Sequence, residues 1–176
     1  MNQINFIRHK PSAYIPYLNQ YIKEFDDGCL NIQGIEFGIE LEEGLSVLKE
    51  ALTYLKNCKG DLKPLLFNNY LRKAAQDHFN DIAPKGLTTH FSSDKKTTYK
   101  ERIEKHCRWG GSIFEAILYG FERPSAKDVV LAMIIDDGFK NRPHRNNLMN
   151  PDHREFAIVH GSHMTANFCY IALYAA

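Results

Sequence analysis

A chain of 176 residues, 44% of them hydrophobic, fits one domain with a core of ordinary size. Its 22 basic and 21 acidic residues leave a formal charge of +1, so no global field draws it to nucleic acid or an anionic membrane. The longest strongly apolar run, Val129 to Ile135, is far shorter than the roughly 20 residues of a spanning helix, and no membrane span is expected.

The opening residues, MNQINFIRHKPSAY, lack an apolar stretch of signal-peptide length, and no acid precedes Glu24. Leu18, Tyr21, Ile22 and Phe25 recur at helical spacing between Ala13 and Phe25. Pro11 and Pro16 limit where that helix begins, because proline is tolerated only in a first turn. Glu36 to Gly44 has turn or extended character. Leu41, Leu45, Leu48, Leu52 and Leu55 then step by four, three, four and three, which is one face of a second helix closed by Lys59-Gly60. A third helix is predicted from about Leu66 to Ile82, with Leu71, Ala74, Ala75, His78 and Ile82 on its buried stripe.

Pro84 to Lys100 is polar and turn-rich and reads as a long loop. Trp109-Gly110-Gly111 reads as a turn with an aromatic anchor. Ser125 stands before AKDVVLAMIIDDG with Asp128 three positions on, a variant capping box. Val129, Val130, Met133 and Ile134 form the buried face of that helix, and Gly138 is its expected left-handed stop. Finally, FAIVHG and NFCYIALYA are strand-like around the loop SHMTA. Helices followed by an antiparallel hairpin predict an α+β domain. No repeat or linker divides the chain, so a single domain over 1–176 is expected. Cys29, Cys58, Cys107 and Cys169 are far apart and form no C-x-x-C pair, which favours free, mostly buried thiols in a reducing, intracellular compartment.

Five residues could carry chemistry. His90 lies in the polar loop, Glu115 is a lone carboxylate in an apolar segment, and His144 sits in NRPHRNN. Asp136 and Asp137 end the capped helix, where the negative dipole end disfavours them. Two imidazoles with two or three carboxylates can coordinate zinc or perform acid–base catalysis. The plainer readings are structural. His78, on an apolar stripe, is expected to be a hydrogen-bonded core histidine. Glu115 can pair with an arginine, and Arg142 and Arg145 can form an internal network with Asp136 and Asp137, or grip an anion. His106-Cys107 is a poor nucleophile pair, because adjacent side chains on a regular element do not face each other.

From Leu65 to Ala175 the chain resembles the CAP (SCP-like) superfamily of cysteine-rich secretory, antigen-5 and pathogenesis-related proteins. It is most similar to the cysteine-poor branch of bacteria and single-celled eukaryotes. The segments that carry the resemblance occur in family order: LRKAAQDHFND, THFSSD, Arg102, RWGG, FEAI, DDGFKNRPHRNNLMNP and GSHMTANFCYIALYA. NFIRHKPSAYIPYL resembles the family's N-terminal helix and ELEEGLSVLKEAL the helix this branch adds. The resemblance implies a three-layer α-β-α sandwich ending in an antiparallel β-hairpin. It also implies a shallow cleft lined by two histidines and two acids, which binds zinc in some members. Here these would be His90, Glu115 and His144, with Asp136 or Asp137 as second acid, Arg142 and Arg145 in support, and His90 and His144 as metal ligands.

Several departures set this chain apart. The family's Gly-Glu-Asn is Phe114-Glu115-Ala116, and its Arg-Gly-His-Arg is Arg142-Pro143-His144-Arg145. Glycines after the first histidine and after the loop aspartate are replaced by Phe91 or Ser92 and by Lys95. Pro143 is expected to restrict Arg142, and the backbone there to be rebuilt or the cleft partly filled; a cleft plugged by Phe114 or Phe91 would sink a metal-dependent function. The favoured function is a non-catalytic binding or scaffolding module that needs no cofactor. It would hold protein partners in a larger assembly, cytoplasmic and cytoskeletal or ciliary, with an organelle such as the mitochondrion second. The competing expectation is a zinc-dependent hydrolase or metal-responsive binder using the cleft.

Overall fold

The computed structural model describes residues 2–32, 38–120 and 124–176. Part of the expected turn, Glu36 and Phe37, lies outside them. The elements in chain order are α1 (Gln3–His9), a 3-10 turn (Pro11–Tyr14), α2 (Ile15–Glu24), β1 (Phe25–Asp26), β2 (Cys29–Leu30), β3 (Ile39–Glu40) and α3 (Leu45–Asn57). Then follow β4 (Leu66–Phe67), α4 (Asn69–Ile82), a 3-10 turn (Ala83–Lys85), α5 (Tyr99–Glu104), β5 (Ile113–Tyr119), α6 (Ala126–Ile135), α7 (Pro143–Leu148), β6 (Glu155–His163) and β7 (Asn167–Ala175). The class is α+β, and the chain ends in the expected hairpin. It divides into two compact units, each built from two separate stretches: Met1–Pro64 with Arg123–Pro151, and Leu65–Glu122 with Asp152–Ala176.

In the first unit α1 and α3 pack on α6, and α2 packs on α3. Of the predicted leucine stripe, Leu48 and Leu55 are fully covered, while Leu41, Leu45 and Leu52 are half-buried and the covered face of α3 is completed by Val47 and Ala51. Burying such a side chain is worth about 1.5–3 kcal/mol. The capping box of α6 forms, with the Ser125 N–H donating to Asp128 Oδ2 at 2.8 Å and the Asp128 N–H to Ser125 Oγ at 3.3 Å. Asp128 also accepts from the Tyr21 hydroxyl at 2.7 Å, which ties α2 to the start of α6. Arg8 is fully buried, and its guanidinium donates to the carbonyls of Leu148, Asn150 and Lys63. One expectation is corrected here. The left-handed stop of α6 is Asp136, at φ 54°, two residues before Gly138.

In the second unit a four-stranded sheet has the order β4-β6-β7-β5, with β4 parallel to β6 and the other pairs antiparallel. Ile113, Ile117, Ile171, Leu173, Ala157 and Val159 cluster with Leu71, Ala74, Ala75 and Ile82 of α4. Successive strand residues face opposite sides, so Glu115 projects on the same side as Ile113 and Ile117. It is paired with Leu173, and Leu173 with Ala157.

The third predicted helix begins three residues late. Leu66 and Phe67 instead pair with Glu155 and Phe156, and Asn68 caps α4 by accepting from the N–H groups of Tyr70 and Leu71. An apolar dipeptide suits either element, and the strand partner lies far along the chain. The long loop ends in a helix that composition did not reveal, α5, opened by a Thr98/Glu101 capping box. The aromatic anchor is present, since Trp109 Nε1–H donates to the Ala176 carbonyl at 3.3 Å.

Gly60 has φ +73°, and a Cβ there would stand 2.6 Å from the His9 carbonyl oxygen. Gly28 has φ +82° but nothing within 4 Å. Chemical denaturation should therefore show Gly60→Ala losing about 2–3 kcal/mol, and Gly28→Ala only the backbone penalty of about 1 kcal/mol.

Candidate functional site

In the second unit Glu115 lies on β5 with its side chain 1% exposed, a place where an unpaired carboxylate would be costly. One oxygen accepts from Arg102 Nη2 at 2.7 Å, and the other bonds His90 Nδ1 at 2.9 Å. Arg102, on α5, is almost wholly buried. It also donates to the His90 carbonyl from both Nη atoms at 3.1 Å and to the Thr97 carbonyl at 3.2 Å. One guanidinium thus neutralises the acid and clamps the loop that carries His90. Because a carboxylate only accepts, His90 donates from Nδ1 and directs Nε2 outward. The His90 side chain is 54% exposed.

The residue before His90 is held as well. His78 Nε2 donates to the Thr89 carbonyl at 2.9 Å, and the Thr89 N–H donates to the Tyr119 hydroxyl at 3.1 Å. Burial pushes the His78 imidazole below its ordinary pKa. Earlier in the loop, His163 Nε2 donates to the Leu87 carbonyl. His78 is therefore the core histidine that its apolar stripe suggests, with a second task in holding the loop. The role of His163 carried no sequence signal, because its partner is a backbone carbonyl far upstream.

The first unit repeats the arrangement with a different acid. Asp136 has a side chain with 0% exposure, and its Oδ1 bonds His144 Nδ1 at 2.6 Å. Its Oδ2 accepts from the N–H groups of His144 and Arg145, at 2.8 and 3.1 Å. These are free donors of the first turn of α7, so the acid that ends α6 also caps the next helix. Its left-handed backbone turns the carboxylate toward that task. The expected dipole conflict is thereby offset. Asp137 does something else: it accepts from the N–H groups of Glu42 and Glu43, at 2.7 and 3.0 Å. The structure thus pairs Asp136, not Asp137, with His144.

Arg142 and Arg145 are engaged internally, but with acids other than the two aspartates expected. Arg142 forks onto Glu43 at 2.5 and 2.8 Å and also donates to the carbonyls of Asp136 and Phe139. Arg145 forks onto Glu50 at 2.6 and 2.7 Å, and its guanidinium lies 4.7 Å from the Tyr54 ring centroid. These forks hold Glu43 and Glu50 below the ordinary carboxylate range. Both acids lie in or beside α3, so no local pattern could have linked them to the arginines.

Lys95 adopts φ 61°, the left-handed conformation that glycine favours, and the turn around it is held by Asp94. Asp94 accepts from the N–H groups of Lys96 and Thr97 and from the Thr97 hydroxyl. Pro143 occupies the first position of α7, where its fixed φ suits a helix. Arg142, which a following proline should restrict, is nevertheless left-handed at φ 46°, overdetermined by its forked contacts. Phe114 points to the face opposite Glu115 and packs on His153 at 5.3 Å, while Phe91 is itself exposed. Among the described residues, neither unit gathers three or more His, Cys, Asp or Glu side chains that could hold a metal ion.

A family model described as CAP, cysteine-rich secretory protein family, matches residues 59–174, a span that contains both His–carboxylate pairs. The chain belongs to the CAP family. Among solved structures, an outer surface protein from Borrelia burgdorferi is 20% identical with a TM-score of 0.54, covering 78% of this chain and 95% of that one. An extracellular SCP-domain protein from Bacillus anthracis is 18% identical with a TM-score of 0.48, covering 72% of this chain and 39% of that one. Comparison with curated proteins gave no match. The likeness to the Borrelia protein concerns the fold and accords with the expected CAP-type α+β sandwich.

Two outcomes follow for Glu115 and the loop that Arg102 holds. Glu115→Ala strands the buried Arg102 charge and should cost about 3–5 kcal/mol, whereas His90→Ala, at an exposed site, should cost less than about 1 kcal/mol; urea titration of both variants checks this. The Asp94 carboxyl is held at about 2 by its hydrogen bonds from Thr97 and Lys96, against about 4 when unfolded. Its stabilisation is full above about pH 4 and is lost as pH falls toward about 2. Thermal melts across that window should show a shallower decline in Asp94→Asn.

Proposed function

We propose that this CAP domain is a non-catalytic binding or scaffolding module, a subunit of a larger intracellular protein assembly of cytoskeletal, ciliary or organellar kind. The observation that carries the reading is the state of the two acids. Glu115 spends both oxygens on Arg102 and His90, and Asp136 spends both on the His144 ring and two backbone N–H groups. An acid that activates water must reach the water. Both of these are shut away, with side chains 1% and 0% exposed, and serve as internal fasteners. The arginines are likewise committed to Glu43 and Glu50, so neither is free to grip a substrate anion.

Four free thiols support the intracellular address. Among the described residues no helix is long and apolar enough to cross a membrane. The partners proposed are proteins, and no cofactor is required.

One observation favours the competing reading. Both histidines bond a carboxylate through Nδ1, which is how metal-bound histidines are commonly oriented. In that case His90, His144 or both would offer Nε2 as a zinc ligand, and a zinc ion held there could polarise a bound water.

Native mass spectrometry with and without added zinc, on the wild type and a His90→Ala/His144→Ala variant, separates the readings. The expected result is no specific zinc adduct on either protein. One zinc per chain, absent from the variant, would overturn the proposal in favour of a metal site.

A further inference from the structure

The sheet of the second unit ends at β4, a strand of two residues whose side chains are unusually exposed. Leu66 is 67% exposed, Phe67 54% and Tyr70, in the first turn of α4, 51%. Three large apolar side chains are thus exposed within five residues of chain, on both faces of the edge. The main chain is directional there. The Leu66 N–H donates to the Arg154 carbonyl and the Asn68 N–H to the Phe156 carbonyl. Strand alternation therefore aims the N–H and C=O of Phe67 away from β6, toward the open edge. The edge is not loose, since Asn68 is bonded to Glu155 and the Phe67 ring lies edge-on to Phe156 at 6.1 Å. Among the described residues it is a firm strand with no strand paired to its outer side.

We propose that β4 is a docking edge for an extended segment of a partner polypeptide that carries acidic residues between apolar ones, an inference that rests on the binding-module reading. The Phe67 main chain calls for another strand, because only an extended backbone offers a matching donor and acceptor at strand spacing. Leu66, Phe67 and Tyr70 supply apolar contact for its side chains. The charge beside the edge sets the sign of the partner. Arg72 and Lys73 are exposed on α4 next to Tyr70, and Lys73 Nζ lies 5.8 Å from the Tyr70 ring centroid. Glu155, the acid paired with Leu66 across the strands, is engaged by Asn68. The same cations disfavour a second copy of this chain, since pairing two identical edges brings like charges together.

The probe is a fluorescently labelled peptide of about eight residues that alternates Glu with Val and Phe, compared with the same peptide bearing Lys for Glu. Anisotropy is followed on titration with the wild-type protein, with Phe67→Asp, and with Arg72→Glu/Lys73→Glu. The last variant alters only exposed side chains and keeps the test sound if Phe67→Asp unfolds. Saturable binding of the acidic peptide is expected, about tenfold or more weaker in each folded variant and absent for the Lys peptide. No saturation at about 1 mM protein, or equal binding by the variants, would overturn the proposal. So would self-association in sedimentation that Phe67→Asp abolishes, since it would place a second copy on the edge. A zinc adduct in native mass spectrometry would sink the binding-module reading while leaving this titration to be judged separately.

Discussion

A carboxylate inside a packed sheet face has to be neutralised where it stands, and Glu115 shows how much structure that requirement organises. The cost of an unpaired buried charge is several kcal/mol, comparable to a large share of a small domain's stability. Arg102 meets it from α5, and α5 is positioned by its own capping box. Having reached the acid, the same guanidinium has donors left for the carbonyls of His90 and Thr97. The loop between α4 and α5 is therefore pinned from inside. His78 and His163 hold the residues before His90, and Asp94 closes the turn after it. Removing the acid would leave a buried cation, an untethered His90 ring and a gap beside Leu173.

Asp136 solves a related problem with backbone donors. The end of one helix and the start of the next each leave peptide groups without partners. A single buried carboxylate, turned by a left-handed residue, serves two N–H groups of α7 and the His144 ring together. Arg142 and Arg145 then cross to Glu43 and Glu50, so the segment DDGFKNRPHRNN is stitched to α3 and to the turn before it. A run of polar residues that resembles a chemical loop is, in this chain, mostly a set of fasteners. That is why the survival of the family's ionisable residues is compatible with a function other than catalysis.

The left-handed residues carry a similar lesson. A left-handed residue with a side chain costs about 1–2 kcal/mol. Lys95 and Arg142 both accept that cost, each inside a dense group of local hydrogen bonds that offsets it.

Periodicity and capping were enough to read α2, α3, α4, α6 and the final hairpin, because those signals are local and depend only on spacing. The order of several weak motifs identified the family, and with it His90, Glu115 and His144. Other features were settled by tertiary structure. Leu66-Phe67 became a strand through partners on β6, and β5 looked like an undifferentiated apolar segment until β7 paired with it. The choice of Asp136 over Asp137 beside His144, and of Glu43 and Glu50 as arginine partners, likewise depended on distance in space. Spacing along a chain determines which side chains share a face. Which charges meet is decided by the cost of burying them unpaired, and that cost exists only once the chain has folded.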